Sequence, residues 1–212
     1  MRVKREKGVV KNMSRKLLVV IDVQKDFVEG GALPYGYPLE SNTQKVVEFA
    51  RAWAKDEDHK DVRLMFGTQD THDSNYFNTL EGKNLPVEHC KKDTVGWQFV
   101  DATDKDAGLE WWCDEVFLKP TFGTFKIKEA IEQFEKTDCE EIKEIYICGY
   151  DLAICVLSNA VILRAAFPNK KIAVLTDLCG CINKQTFDAA CEVLKCQQID
   201  LMNSSDSAIC AA

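Results

Sequence analysis

The sequence predicts a single α/β domain in three layers, with a mainly parallel β-sheet between helices. Two observations carry that expectation. Short, continuous apolar runs of strand length recur along the chain, as expected for strands covered on both faces of a parallel sheet. Stretches with helical apolar spacing separate them, and strands alternating with helices imply a parallel sheet with helices on both sides. A length of 212 residues, 46% hydrophobic, suits one core of ordinary size that needs no staples.

Each element has its own warrant. Residues 1–15 cluster Lys and Arg without an apolar period, and read as a loosely ordered basic extension before a domain at 16–212; Met13 stands just ahead of it. Residues 16–22 (KLLVVID) are the first buried strand. Residues 43–55 place Val46, Val47, Phe49, Ala50 and Trp53 at helical spacing. Residues 63–68 (RLMFGT) and 115–119 (EVFLK) are strands two and three, followed by a helix at 127–134. Residues 144–149 (EIYICG) are the fourth strand, and 155–166 an aliphatic-rich helix. A strand at 171–176 (KIAVLT), a helix at 184–197 and a strand at 199–202 complete the order. The polar stretch 70–96 exceeds a routine connection of about 2–6 residues, and is expected to be a lid or a site.

Composition narrows the function classes. The chain carries 27 Lys+Arg against 34 Asp+Glu, a net charge of −7, which argues against a nucleic-acid partner held by general electrostatics. Apolar runs such as 17–21 fall far short of the ~20 residues of a membrane helix. The basic start Arg2-Val3-Lys4-Arg5 leads into more charge, not into the apolar core of a secretory signal. The expectation is a cytoplasmic protein with no membrane partner. Its ten cysteines contain no CxxC pair, and most read as small core hydrophobes and not as disulfides.

In such sheets ligands bind beyond the carboxyl ends of the strands. Asp22 ends the first strand, Asp70-x-His72 follows the second, Lys119 ends the third, and the fourth leads to Cys155 at a helix start. His89-Cys90 falls in the long loop. Singly, each has an ordinary explanation: a turn-forming Asp, a solvated Lys, a packed Cys. Together they offer a thiol with a base and a cation, the set that a thiolate nucleophile requires.

These residues sit in motifs that resemble a family. Asp22-Val23-Gln24-Lys25-Asp26-Phe27, followed by Gly30-Gly31-Ala32-Leu33, is similar to the opening of the isochorismatase-like cysteine hydrolases. Thr68-Gln69-Asp70-Thr71-His72, Leu85-Pro86-Val87-Glu88-His89-Cys90, Lys119, and the run from Gly149 through Cys155 to Ala160 follow in family order. Phe167-Pro168 continues the likeness, which covers roughly residues 15–202. Asp-x-His with a later His before Cys is similar to the nicotinamidase branch.

The resemblance implies a cysteine amidohydrolase. Cys155 would attack the amide carbon, Lys119 would favour its thiolate, and Asp22 would take the thiol proton and pass it to departing ammonia. Backbone N–H groups of Asp151 and Cys155 would hold the oxyanion, with a cis bond at Tyr150–Asp151. Asp70, His72 and His89 would hold one divalent metal, a mixed carboxylate and imidazole set that suits zinc first, or manganese or iron. Phe27 would stack on a ring-bearing amide, nicotinamide first, with Leu85 as an aliphatic wall where relatives have a Trp. A homo-oligomer is expected. Leu152-Ala153 replaces the usual Thr-Asp before the nucleophile, Tyr76 stands in the region of a further His, and Pro120 follows Lys119 where Gly is common. A non-catalytic relative and a redox sensor are the rival readings; retention of all six chemical side chains speaks against the first.

Overall fold

The computed structural model describes residues 15–38, 41–59, 62–101, 108–138 and 140–210. Its strands are β1 (Arg15–Ile21), β2 (Arg63–Asp70), β3 (Glu115–Lys119), β4 (Ile142–Gly149), β5 (Lys171–Cys179) and β6 (Asp200–Met202). They form one sheet in the order β3-β2-β1-β4-β5-β6, parallel throughout. β1 is buried at every residue. Removing a large aliphatic side chain from water is worth about 1.5–3 kcal/mol, so Leu17, Leu18, Val19, Val20 and Ile21 anchor the sheet.

The helices are α1 (Thr43–Ala54), α2 (Leu80–Asn84), α3 (Leu109–Trp112), α4 (Lys126–Asp138), α5 (Leu157–Ala166), α6 (Lys184–Cys196) and α7 (Ser207–Cys210). α1 buries Val46, Ala50 and Trp53, the i, i+4, i+7 stripe its spacing predicts. α6 buries Ala190 and Leu194, and its Asn183 cap accepts the Thr186 N–H at 2.8 Å. α1 packs with α3, while α4, α5 and α6 form a second group, which covers both faces of the sheet. Among the described residues no helix is long and apolar enough to cross a membrane.

The chain proceeds from β1 to one edge through β2 and β3, then from β4 to the other through β5 and β6. Strand order therefore reverses between β1 and β4, and the crevice for a ligand opens beyond their carboxyl ends. Several boundaries differ from expectation, each for a tertiary reason. β1 begins at Arg15, inside the stretch read as an extension, because the Arg15 guanidinium pairs with Glu140; residues 1–14 lie outside the described residues. β4 begins two residues early, at Ile142, whose N–H donates to the Glu135 carboxylate. β2 continues to Asp70, in register with Lys119 on β3, so two of the polar candidates are adjacent strand residues. β5 runs on to Cys179, beside Gly149. The helix expected from 155 begins as a wider π turn, Leu152–Val156, before α5. The long polar stretch contains two short helical pieces, Tyr76–Asn78 and α2.

Candidate active site

Asp22 follows β1 directly, with φ at +49°, a left-handed conformation that a non-glycine residue rarely adopts. Its N–H reaches the Thr68 carbonyl at 3.2 Å, and the Thr68 hydroxyl donates to its carboxylate at 2.7 Å. The second carboxylate oxygen lies 2.6 Å from the Lys119 ammonium, which also stands 3.5 Å from the Cys155 sulfur and 3.8 Å from Asp70. All four side chains are buried. Three strand ends and the turn after a fourth thus bring together the proposed base, cation and nucleophile.

Electrostatics assigns their resting protonation. Burial pushes the Asp22 carboxyl up, with the adjacent Lys119 working against it. Burial alone would lower Lys119, but Asp22, Cys155 and Asp70 outweigh it and hold the ammonium charged. Burial raises the Cys155 thiol well above its ordinary value, and Lys119 offsets only part. The resting thiol is protonated beside a charged Lys119, and it needs a base to become a nucleophile.

At the end of β4, Gly149 has φ +121°, and a Cβ there would lie 2.0 Å from the Ile21 carbonyl oxygen; only glycine lets β1 and β4 approach this closely here. The Tyr150–Asp151 peptide is cis. The Asp151 carbonyl accepts the N–H groups of Ile154 and Val156, and its carboxylate accepts the Ala153 N–H at 2.7 Å and the Cys181 thiol at 3.3 Å. The Leu152 N–H is taken by the Gly180 carbonyl, whereas the Asp151 N–H has no partner among the described residues.

The three proposed ligands also converge. One oxygen of Asp70 lies 3.0 Å from Nε2 of His72 and 3.3 Å from Nε2 of His89. His89 Nδ1 donates to the Val87 carbonyl at 2.8 Å, which fixes the ring so that its Nε2 faces Asp70. Burial disfavours the Asp70 carboxylate, but hydrogen bonds from His72 and His89 more than compensate and hold it ionised. Three buried donor atoms within 4.8 Å of one another, one carboxylate and two imidazoles, fit a divalent metal by chemistry and by reach.

Several contributors were not legible in the sequence. Glu81 of α2 brings a carboxylate oxygen to 3.8 Å from His72 Nε2 and 3.7 Å from His89 Nε2. Gln24 clamps Asp70 through both backbone groups, donating to its carbonyl at 2.9 Å and accepting its N–H at 2.7 Å. Asp26 accepts the Cys90 N–H at 2.7 Å and so fixes the loop that carries His89. Tyr76 is fully buried, with its ring 4.7 Å from His72 and 5.3 Å from His89, and its hydroxyl donates to the Leu85 carbonyl. Among the residues expected to line the site, Phe27 stands 5.6 Å from the His89 ring, and Leu85 is half-buried where α2 ends. Motif order hinted at Gln24 and Asp26; nothing local hinted at Glu81.

Comparison with solved structures places this architecture among known ones. The pyrazinamidase of Pyrococcus horikoshii in complex with zinc superposes with a TM-score of 0.66 at 23% identity, covering 89% of this chain and 99% of that one. A nicotinamidase/pyrazinamidase of Bacillus subtilis gives 0.70 at 19%, covering 89% and 100%. The yeast nicotinamidase bound to the inhibitor nicotinaldehyde gives 0.65 at 20%, covering 89% and 99%. At such identities the likeness shows a shared fold. No curated protein sequence matches the chain. The model of the isochorismatase domain, however, matches residues 16–206, from the first strand to beyond the last, and the chain belongs to that family.

Proposed function

We propose that this chain is a metal-containing cysteine amidohydrolase that converts nicotinamide and water to nicotinate and ammonia. The observation that carries the proposal is the buried Lys119 ammonium, 2.6 Å from Asp22 and 3.5 Å from the Cys155 sulfur, next to the Asp70–His72–His89 cluster. Asp22 accepts the thiol proton as the Cys155 sulfur bonds to the amide carbon. The carbonyl oxygen becomes an oxyanion, met by the N–H groups of Asp151 and Cys155. Asp22 then returns the proton to the departing nitrogen, and the C–N bond breaks to leave a thioester and ammonia. Asp22 next takes a proton from water, whose oxygen attacks the thioester; the acid leaves and the thiol is restored. Lys119 keeps Asp22 ionised and offsets charge at sulfur.

Asp70, His72 and His89 would hold zinc, or manganese or iron, with Glu81 close enough to serve as a fourth donor and second carboxylate. Bound there, the metal would supply a Lewis-acid position for a ring nitrogen; the Phe27 and Tyr76 rings stand beside the two histidines. The pyrazinamidase and nicotinamidase neighbours support this substrate class. The test is ammonia release from nicotinamide, pyrazinamide, benzamide and short aliphatic amides by the metal-loaded protein. Nicotinamide and pyrazinamide should be cleaved and benzamide, which lacks the ring nitrogen, should be much poorer. Equal cleavage of benzamide overturns metal-directed recognition and makes an aliphatic or carbamoyl substrate the leading alternative.

A further inference from the structure

The turn that leads from β4 into the nucleophile carries one polar side chain, Asp151; its neighbours Leu152, Ala153 and Ile154 are all apolar. One oxygen of that carboxylate caps the Ala153 N–H at 2.7 Å, which ties the side chain to the start of the π turn holding Cys155. The same oxygen receives the Cys181 thiol at 3.3 Å, from a segment thirty residues away. Cys181 is itself immobilised. Its N–H donates to the Tyr37 carbonyl at 2.7 Å, and its carbonyl accepts from Gly36 at 3.0 Å and Tyr37 at 2.9 Å. The preceding Gly180 accepts the Leu152 N–H and donates to the Gly149 carbonyl. A fully buried thiol fixed on both sides thus points at the carboxylate of the residue whose N–H has no partner among the described residues.

We propose that Asp151 and Cys181 form a positioning pair for the oxyanion turn. The thiol holds the carboxylate, the carboxylate holds the Ala153 N–H, and the Asp151 N–H is thereby kept aimed at the substrate oxygen bound at Cys155. The inference rests on the amidohydrolase reading for its chemistry, and its geometry is that of the Asp151, Ala153 and Cys181 contacts. Burial and the facing carboxylate push the Cys181 thiol up to about 11, so it remains a donor at neutral pH. Neither side chain reacts. Their effect is on where a donor sits, and a misplacement of about 1 Å costs on the order of a hundredfold in rate.

The test compares the parent with Cys181→Ala, Cys181→Ser and Asp151→Ala as full-length, metal-loaded proteins. Three readouts are needed: nicotinamide kinetics, affinity for nicotinaldehyde, and the rate at which iodoacetamide alkylates Cys155. The aldehyde carbon bonds to the Cys155 sulfur, its C=O π bond opens, and its oxygen takes the charge and then the thiol proton, so its affinity reports the oxyanion donors. Alkylation uses the same sulfur and needs no such donors. Cys181→Ala should lower kcat roughly tenfold with KM little changed, and weaken the aldehyde by a similar factor, short of the ~100-fold or more for an oxyanion donor deleted outright. Asp151→Ala should lose more, Cys181→Ser should recover kcat to within about threefold because its hydroxyl still donates, and alkylation should be unchanged in all. Should Cys181→Ala not fold, Asp151→Asn asks the same question, since its amide keeps an acceptor for Ala153 but is a weaker one for the thiol. Unaltered aldehyde affinity in the variants overturns the pairing, as does a parallel fall in alkylation or a Ser variant as poor as Ala. If the parent cleaves no amide, the amidohydrolase reading fails separately, while the aldehyde and alkylation readouts still decide the pairing.

Discussion

At Cys155, the proposed nucleophile, two requirements conflict. A nucleophile must ionise, yet burial keeps this thiol protonated well above its ordinary value. The Asp22–Lys119 pair resolves the conflict by placing a base and a cation against it. Cys155→Ala should therefore fold normally and lose turnover by at least ~10³-fold, measured as ammonia release; near-normal hydrolysis would sink the covalent route. Cys90, although it follows a proposed metal ligand, contributes its backbone: its N–H goes to Asp26 and its carbonyl receives the His72 N–H. Cys90→Ser should keep most of the activity. Lys119→Met leaves a fully buried carboxylate without its cation, and should cost about 3–5 kcal/mol in urea unfolding. It should also move the acid limb of kcat/KM. In the proposed reaction Asp22 works as a carboxylate, so activity should fall as pH drops through its folded pKa, already raised by burial; without Lys119 to lower it, that limb should shift to higher pH. A limb that stays put would mean another group titrates.

At the scale of elements, strand ends carry the candidate residues and loops fix their geometry. The apolar runs made all six strands legible, since a strand covered on both faces announces itself by composition. Their ends were less legible. Asp70 is polar, so periodicity stops at Thr68, yet the backbone continues in register to Lys119 because Gln24 caps both its peptide groups. The π turn was equally hidden, because its aliphatic residues look like the first turn of an ordinary helix. The loop from His89 to Gly96 is held by Asp26, whose N–H donates to the Gly96 carbonyl at 3.0 Å and whose carboxylate receives the Cys90 N–H. A Cβ on Gly96 would come within 2.1 Å of that carboxylate. Gly96→Ala should therefore expel Asp26, loosen His89 and lower metal content after dialysis, at a stability cost of about 1–3 kcal/mol. Gln24→Ala should weaken metal affinity by roughly 10–100-fold, as loss of an outer-shell partner does. Full metal content in both variants would show that the ligands are positioned without these clamps.

At the scale of the molecule, strand order decides what meets. Reversal between β1 and β4 sets Asp22 beside the turn to Cys155, while β2 and β3 bring Asp70 and Lys119 in from one side. Sequence motifs announced those residues singly and in family order; only the fold shows that Glu81, from a five-residue helix with no signature, reaches both imidazoles. The same convergence makes metal binding a proton-linked event. Burial disfavours the charged His89 ring, but Asp70, the Val87 carbonyl and Glu81 outweigh it, so its pKa lies above the ordinary 6.5. A metal must displace that proton, because only a neutral imidazole can coordinate. Zinc at about 100 times its Kd should stabilise the protein by ~2.7 kcal/mol, or about 5–10 °C in Tm for a chain of this size, at pH 8. As pH falls through the raised pKa, protonated His89 paired with Asp70 stabilises the metal-free state and opposes coordination. The zinc-dependent gain in Tm should shrink steadily between roughly pH 8 and 6, and be absent in His72→Ala at any pH. An equal gain at both ends of that range, or one that survives in His72→Ala, would place the metal elsewhere on the chain.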